Sequence, residues 1–131
     1  MISFTLIRQI LIGDNNFRHA NENPKEYLKL IEKLLEEFSN VERCHLVLTS
    51  ILPSPETNHK CKHLFKYVSD SVKKLSQNYG SKASFLNLTK VFMHGGMIKQ
   101  NLYADGVHLN EEGAQILATR IFNHVKYIPK L

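Results

Sequence analysis

Asp105 and His108 are the two residues of this chain whose types and spacing most directly imply chemistry. They stand in Tyr103-Ala-Asp-Gly-Val-His-Leu-Asn-Glu-Glu-Gly113, directly ahead of an amphipathic stretch that reaches about Lys126. A carboxylate three residues before an imidazole on one loop can hold one ring nitrogen while the other takes a proton from a nucleophile. The duller reading is a polar loop before a helix with a satisfied surface histidine. A metal at this place needs further ligands; His94 is the one nearby candidate and no tight cluster accompanies it. His59 and His63 stand four apart, but without the glutamate that a zinc-protease helix requires. No metal and no cofactor are expected.

A second constellation is Gly13-Asp14-Asn15-Asn16, which follows an apolar run. Gly and Asn tolerate left-handed backbone angles, so a simple turn accounts for it. The functional alternative is an Asn amide that donates to a developing oxyanion, an interaction worth roughly 3 kcal/mol where it has been tested.

These residues need elements to hold them. Residues 2–12, dense in Ile, Leu and Phe, read as a buried strand. Pro24 suits a helix's first turn, and a helix is expected over 25–39, with Leu28, Ile31, Leu34 (or Leu35) and Phe38 at helical spacing. Residues 44–52 read as a short buried strand stopped by Pro53-Ser-Pro55. A second helix is expected over 58–79, with Leu64, Tyr67 (or Val68), Ser71 and Leu75 inward and Gly80 as terminator. A third strand is expected over 83–91, and a loop over 92–102 containing Gly95-Gly96. Asn110 is the expected cap of a last helix with Ala114, Leu117, Ala118, Ile121 and Val125 on its apolar side.

Strands that alternate with helices imply an α/β fold with a parallel sheet covered on both faces. Ligand crevices in such sheets lie at the carboxyl ends of the strands. Residues 13–16, 53–55 and 92–108 all follow strand ends, so the polar candidates converge on one edge.

Taken together, these stretches resemble the SGNH (GDSL-type) hydrolases, serine esterases and lipases with a flavodoxin-like three-layer α/β/α fold. One block of that family is Gly-x-Asn-Asp at a strand end, which Gly13-Asp14-Asn15-Asn16 matches except at its last position. Another is Asp-x-x-His before the terminal helix, matched by Asp105-Gly106-Val107-His108. The run from Leu46 to Pro53 resembles the intervening strand that ends in proline. The resemblance implies hydrolysis of a small acyl ester. His108 would be the general base, Asp105 its orienting partner, and Asn15, through its amide, and Gly13 the oxyanion hole.

The family's nucleophilic serine lies in a Gly-Asp-Ser block after its first strand, and a further block adds an oxyanion-hole glycine. The resemblance begins at the strand after these, and Ser3, Ser50, Ser54 and Ser84 have no Gly-Asp-Ser context. The nucleophile is therefore unassigned. The expectation is the latter part of a hydrolase, silent as it stands, with a non-catalytic binding module as the alternative.

The 131 residues suit one domain, spanning the whole sequence, and 43% hydrophobic with 22% charged residues is ordinary for a globular chain. The formal charge of +5 raises a nucleic-acid reading. Six of the 17 basic residues (Lys60, Lys62, Lys66, Lys73, Lys74 and Lys82) fall within 60–82. That segment is either a phosphate-facing stripe or, more commonly, a solvated helix face. Cys44 and Cys61 make no disulfide framework. The start of the chain is broken by Arg8 and Gln9 and lacks a basic n-region and cleavage site, and no stretch suits a membrane span. An intracellular chain is expected.

Overall fold

The computed structural model describes residues 6–10, 24–42 and 44–128. The elements run β1 (Leu6–Ile10), α1 (Pro24–Ser39), β2 (Cys44–Thr49), α2 (Pro55–Gln77), a 3-10 turn (Gly80–Lys82) and β3 (Ala83–Leu86). A small hairpin, β4 (Met93–His94) and β5 (Met97–Ile98), a 3-10 turn (Gln100–Leu102) and α3 (Glu111–Val125) complete the order.

β1, β2 and β3 form a parallel sheet in that order, with Leu6 opposite Cys44 and Leu46 opposite Ala83. The alternation of strands and helices demands this arrangement, because a parallel neighbour is reached only through a crossover. β2 is the middle strand, and every one of its six residues is buried. A strand covered on both faces needs a nearly continuous apolar run, which Cys44-His-Leu-Val-Leu-Thr49 provides.

Side chains alternate across the sheet, which divides the molecule into three layers. Leu46, Leu48 and Ala83 meet Tyr27, Ile31 and Leu35 of α1 and Phe65, Val68 and Val72 of α2 in one apolar core. On the opposite face Ser84 bonds to His124 of α3. The three-layer α/β arrangement agrees with the fold expected from the sequence.

α1 matches its expected span within one residue, and its core stripe steps by four through Tyr27, Ile31 and Leu35. α2 starts three residues earlier than expected. Ser54 caps it, accepting a bond from the N–H of Thr57 at 3.1 Å, and Pro55 opens the first turn. Its stripe is Phe65, Val68 and Val72, one position away from the Leu64–Tyr67–Ser71 alternative; Tyr67 is 50% exposed and Val68 fully buried. The helix ends at Gln77 with Asn78 as its cap, and Gly80 takes a positive φ of 58° in the turn that follows.

β3 stops at Leu86, short of the expected 83–91. The hydroxyl of Ser50 accepts from the N–H groups of Leu88 (2.7 Å) and Thr89 (2.8 Å), diverting the backbone from strand pairing into a turn. Residues 92–102, expected as loop, contain the β4–β5 hairpin, which reverses at Gly95 and Gly96, both at positive φ. In α3, the expected apolar residues Ala114 and Ala118 are exposed, while Leu117, Ile121 and Val125 are half-buried. Among the described residues no helix is long and apolar enough to cross a membrane.

Candidate functional site

The loop between Leu102 and Asn110 is closed on itself. Tyr103 and Leu109 form an antiparallel bridge, the N–H of Ala104 donates to the carbonyl of His108 at 2.8 Å, and that of Asn110 donates to the carbonyl of Leu102 at 2.9 Å. Asp105 folds the tip: its Oδ1 accepts from the N–H groups of Val107 and His108, each at 2.7 Å. A short carboxylate side chain suits this turn because it reaches amides two and three residues ahead.

Two further bonds fix the loop to the protein. The N–H of Glu56, in the first turn of α2, donates to the carbonyl of Gly106 at 3.0 Å, and the hydroxyl of Tyr103 donates to the carbonyl of Pro53. Pro53 and Glu56 follow the carboxyl end of β2, so the loop lies at the edge where α/β sheets place their ligands. Asn110 then caps α3 as expected, its side-chain oxygen accepting from the N–H of Gly113 at 2.9 Å.

Asp105 Oδ2 stands 2.9 Å from His108 Nδ1, and Oδ1 stands 3.2 Å from it. An ionised carboxylate can only accept, so Nδ1 carries the proton and Nε2 of the neutral ring keeps its lone pair. Nε2 has no hydrogen-bond partner among the described residues. The carboxyl of Asp105 is held down from the ordinary 3.8 to about 2, first by the backbone N–H of His108, then by the His108 ring and the N–H of Val107. The side chains of His108 and Asp105 are 76% and 54% exposed. A contact so open to water adds little stability. Its effect is to set the ring's tautomer and direction.

The other sequence candidates lie elsewhere. Gly13, Asn15 and Ser3 fall outside the described residues. Ser50 and Ser54 are buried, the first committed to the turn after β3 and the second to the cap of α2. Among the described residues no serine bonds to His108, and no three His, Cys, Asp or Glu side chains gather as a metal site. Cys44 is a buried free thiol.

Ser84 does meet histidines, at the amino ends of β2 and β3 and so at the opposite edge. Its Oγ lies 2.9 Å from His45 Nε2 and 2.7 Å from His124 Nε2, while His45 Nδ1 lies 2.8 Å from the carbonyl of Ser81. The carbonyl can only accept, which sets the direction with both rings neutral. His124 donates to Ser84, Ser84 donates to His45, and His45 donates to Ser81. This chain satisfies His45, which is 97% buried in the middle strand. Its members are 36 to 40 residues apart, so no spacing in the sequence announces it. Tyr103 and Gly106 were likewise missed as anchors of the loop, because their partners belong to another element.

No protein-family model matches the chain, and no curated protein matches it in sequence. Its fold is similar to a solved structure described as that of "a putative platelet activating factor from Streptococcus pneumonia", with a TM-score of 0.78 and 19% sequence identity. The likeness covers 92% of this chain and 59% of that one. The chain thus spans somewhat more than half the length of the protein whose fold it shares.

Proposed function

We propose that this chain supplies the base and its orienting acid for ester hydrolysis of the SGNH type, with the serine brought by a segment or partner outside the described residues. The observation that carries the reading is the Asp105–His108 contact, which sets the proton on Nδ1 and leaves Nε2 without a partner among the described residues. The position of the loop after β2, and a fold shared with a chain of which this one spans only part, support it.

In the proposed reaction a serine hydroxyl attacks the carbonyl carbon of a small acyl ester and passes its proton to His108 Nε2. Asp105 steadies the imidazolium that results. The amide of Asn15 and the backbone at Gly13 receive the oxyanion. His108 then returns the proton to the departing alcohol, and water releases the acyl group by the same route. Without the serine, residual catalysis is small, because the members of such a triad act as a unit.

Joining a Gly-Asp-Ser segment ahead of the chain tests this. Hydrolysis of p-nitrophenyl acetate is expected to appear with the segment and to vanish in His108→Ala. Activity indifferent to His108→Ala would falsify the assignment. A second reading, a catalytically silent binding module, draws on the lysines of α2. It predicts that His108→Ala leaves partner binding intact, while charge reversal at Lys73 and Lys74 abolishes it.

A further inference from the structure

A groove of about 720 Å³ runs between α2 and the stretch from β3 to β4, and it shares no lining residue with loop 103–110. Its length comes from helical geometry. Lys62, Phe65, Ser69 and Lys73 follow one another at three or four residues, so they present a single face of α2 along one wall. Phe85, Thr89 and Met93 form the facing wall, and β3 ends the described sheet on this side.

Three properties define what fits. The interior is apolar: Phe65 is 4% exposed, and Phe85 and Met93 pack against the core while still reaching the groove. The rim is cationic, with exposed ammonium groups at Lys62, Lys66, Lys73 and Lys90 against one carboxylate, Asp70. Asp70 pairs with Lys66 at 2.8 Å and also lies within electrostatic reach of Lys73, so four groove lysines share a single carboxylate. Finally, Ser69 lines the groove, is 93% buried, and its hydroxyl has no hydrogen-bond partner among the described residues. A helical serine ordinarily bonds back to the carbonyl one turn earlier. A buried hydroxyl left unpaired carries a desolvation cost that a ligand's polar atom would relieve.

We propose that this groove binds an anionic amphiphile, an acyl chain ending in a carboxylate or phosphate, with the chain over Phe65, Phe85 and Met93 and the head among the lysines. The volume lies within the roughly 300–1,000 Å³ of small-molecule sites. A single-stranded nucleic acid would also answer the charge, but it needs ring faces open for stacking. Phe65 is too deeply buried to offer one, which leaves Phe85 as the one half-buried ring on the groove, where successive bases need a row of them. The proposal does not depend on the hydrolase reading, because neither Asp105 nor His108 takes part.

Titration of the whole chain with sodium decanoate, followed by calorimetry and by amide NMR shifts, tests it. Decan-1-ol, butanoate, decyl phosphate and a fifteen-residue oligothymidylate serve as comparison probes. Saturable one-to-one binding of decanoate and decyl phosphate is expected, with shifts centred on Ser69, Phe85 and Thr89. Decan-1-ol and butanoate are each expected to bind at least tenfold more weakly. A relative preference between the two long-chain anions separates a carboxylate from a phosphate headgroup as the natural one.

Lys62→Glu with Lys90→Glu, both at exposed positions, is expected to weaken decanoate about tenfold, equivalent to about 1.4 kcal/mol. Ser69→Ala is expected to weaken binding while leaving the free protein at least as stable, since it removes an unpaired buried hydroxyl. Several outcomes overturn the proposal: no saturation, equal affinity for decan-1-ol, shifts centred on α3 instead, or an oligothymidylate that displaces decanoate.

Discussion

Gly113, in the first turn of α3, lies against the backbone carbonyl of Leu102, so that a Cβ on this glycine would overlap that oxygen and come within 3.1 Å of Leu109 Cδ2. The close approach seats the amino end of α3 beside loop 103–110. Alanine would gain about 1 kcal/mol of helix propensity, but the obstacle is backbone and cannot turn aside. Overpacking of this kind costs about 1–3 kcal/mol. The clash wins: Gly113→Ala is expected to lower the thermal midpoint and broaden the amide signals of the loop. Unchanged melting would show that the loop is not held by this contact.

Asp105→Asn separates charge from shape. The amide oxygen can still accept from the N–H groups of Val107 and His108, but its NH₂ cannot accept from Nδ1–H. The ring is expected to switch its proton to Nε2, the nitrogen that has to be free for base catalysis. Long-range nitrogen NMR of His108 reads this directly. In the chain joined to a Gly-Asp-Ser segment, the same change is expected to reduce turnover by about 10³–10⁴.

The loop's response to acid follows from the lowered carboxyl of Asp105. Its folded value, about 2, lies below the ordinary 3.8, so the folded state binds fewer protons in this range. The contribution is complete above about pH 4 and is lost as pH falls toward 2. Amide exchange at Val107 and His108 is expected to stay slow at pH 5 and to quicken across that window. Quickening that begins above pH 5 would mean that the carboxylate does not hold the loop.

His124 titrates with the same sign at higher pH. Burial lowers its pKa first, and nearby His45 adds to the effect. The unfolded chain therefore takes up a proton that the folded one resists, and stability declines as pH falls below about 6.5, the ordinary histidine value. Thermal melts at pH 7.5 and 5.5 are expected to differ, with the lower midpoint at 5.5. Ser84→Ala, which removes the hydroxyl between the rings, is expected to shrink that difference.

Ser50→Ala probes the junction after β3. The substitution strips the acceptor from the N–H groups of Leu88 and Thr89, one of them fully buried. An unpaired buried donor costs about 1–3 kcal/mol. A loss of that order in urea unfolding is expected, whereas Ser39→Ala, on an exposed hydroxyl, is expected to change little.

These residues also show why some features were legible in the sequence and others were not. Asp105 bonds His108, and Asn110 bonds Gly113, each three residues away, so these contacts follow from spacing alone. The inward face of α2 was ambiguous by one position because Leu64, Phe65, Tyr67 and Val68 all carry apolar bulk, and only packing against the sheet chooses among them. The end of β3 depends on Ser50, 38 and 39 residues away from the amides it binds. The same distance in sequence hid the His45–Ser84–His124 chain. The oxyanion assignment at Gly13 and Asn15 concerns residues outside those described; the parallel sheet agrees with its expectation, and the Asp105–His108 contact is present while its catalytic role stays a proposal.

The contrast in burial between β2 and α3 implies an order of local opening. β2 is covered along all six residues, whereas Gly113 is the one buried residue of α3. Segments with few buried contacts open at lower free energy than the core they lie on. Hydrogen exchange is therefore expected to empty α3 of its protected amides well before β2, exposing the sheet face that carries His45 while the α1–α2 side stays closed. A partner seated on α3 would reverse that ranking, and the protection gained there would map its footprint.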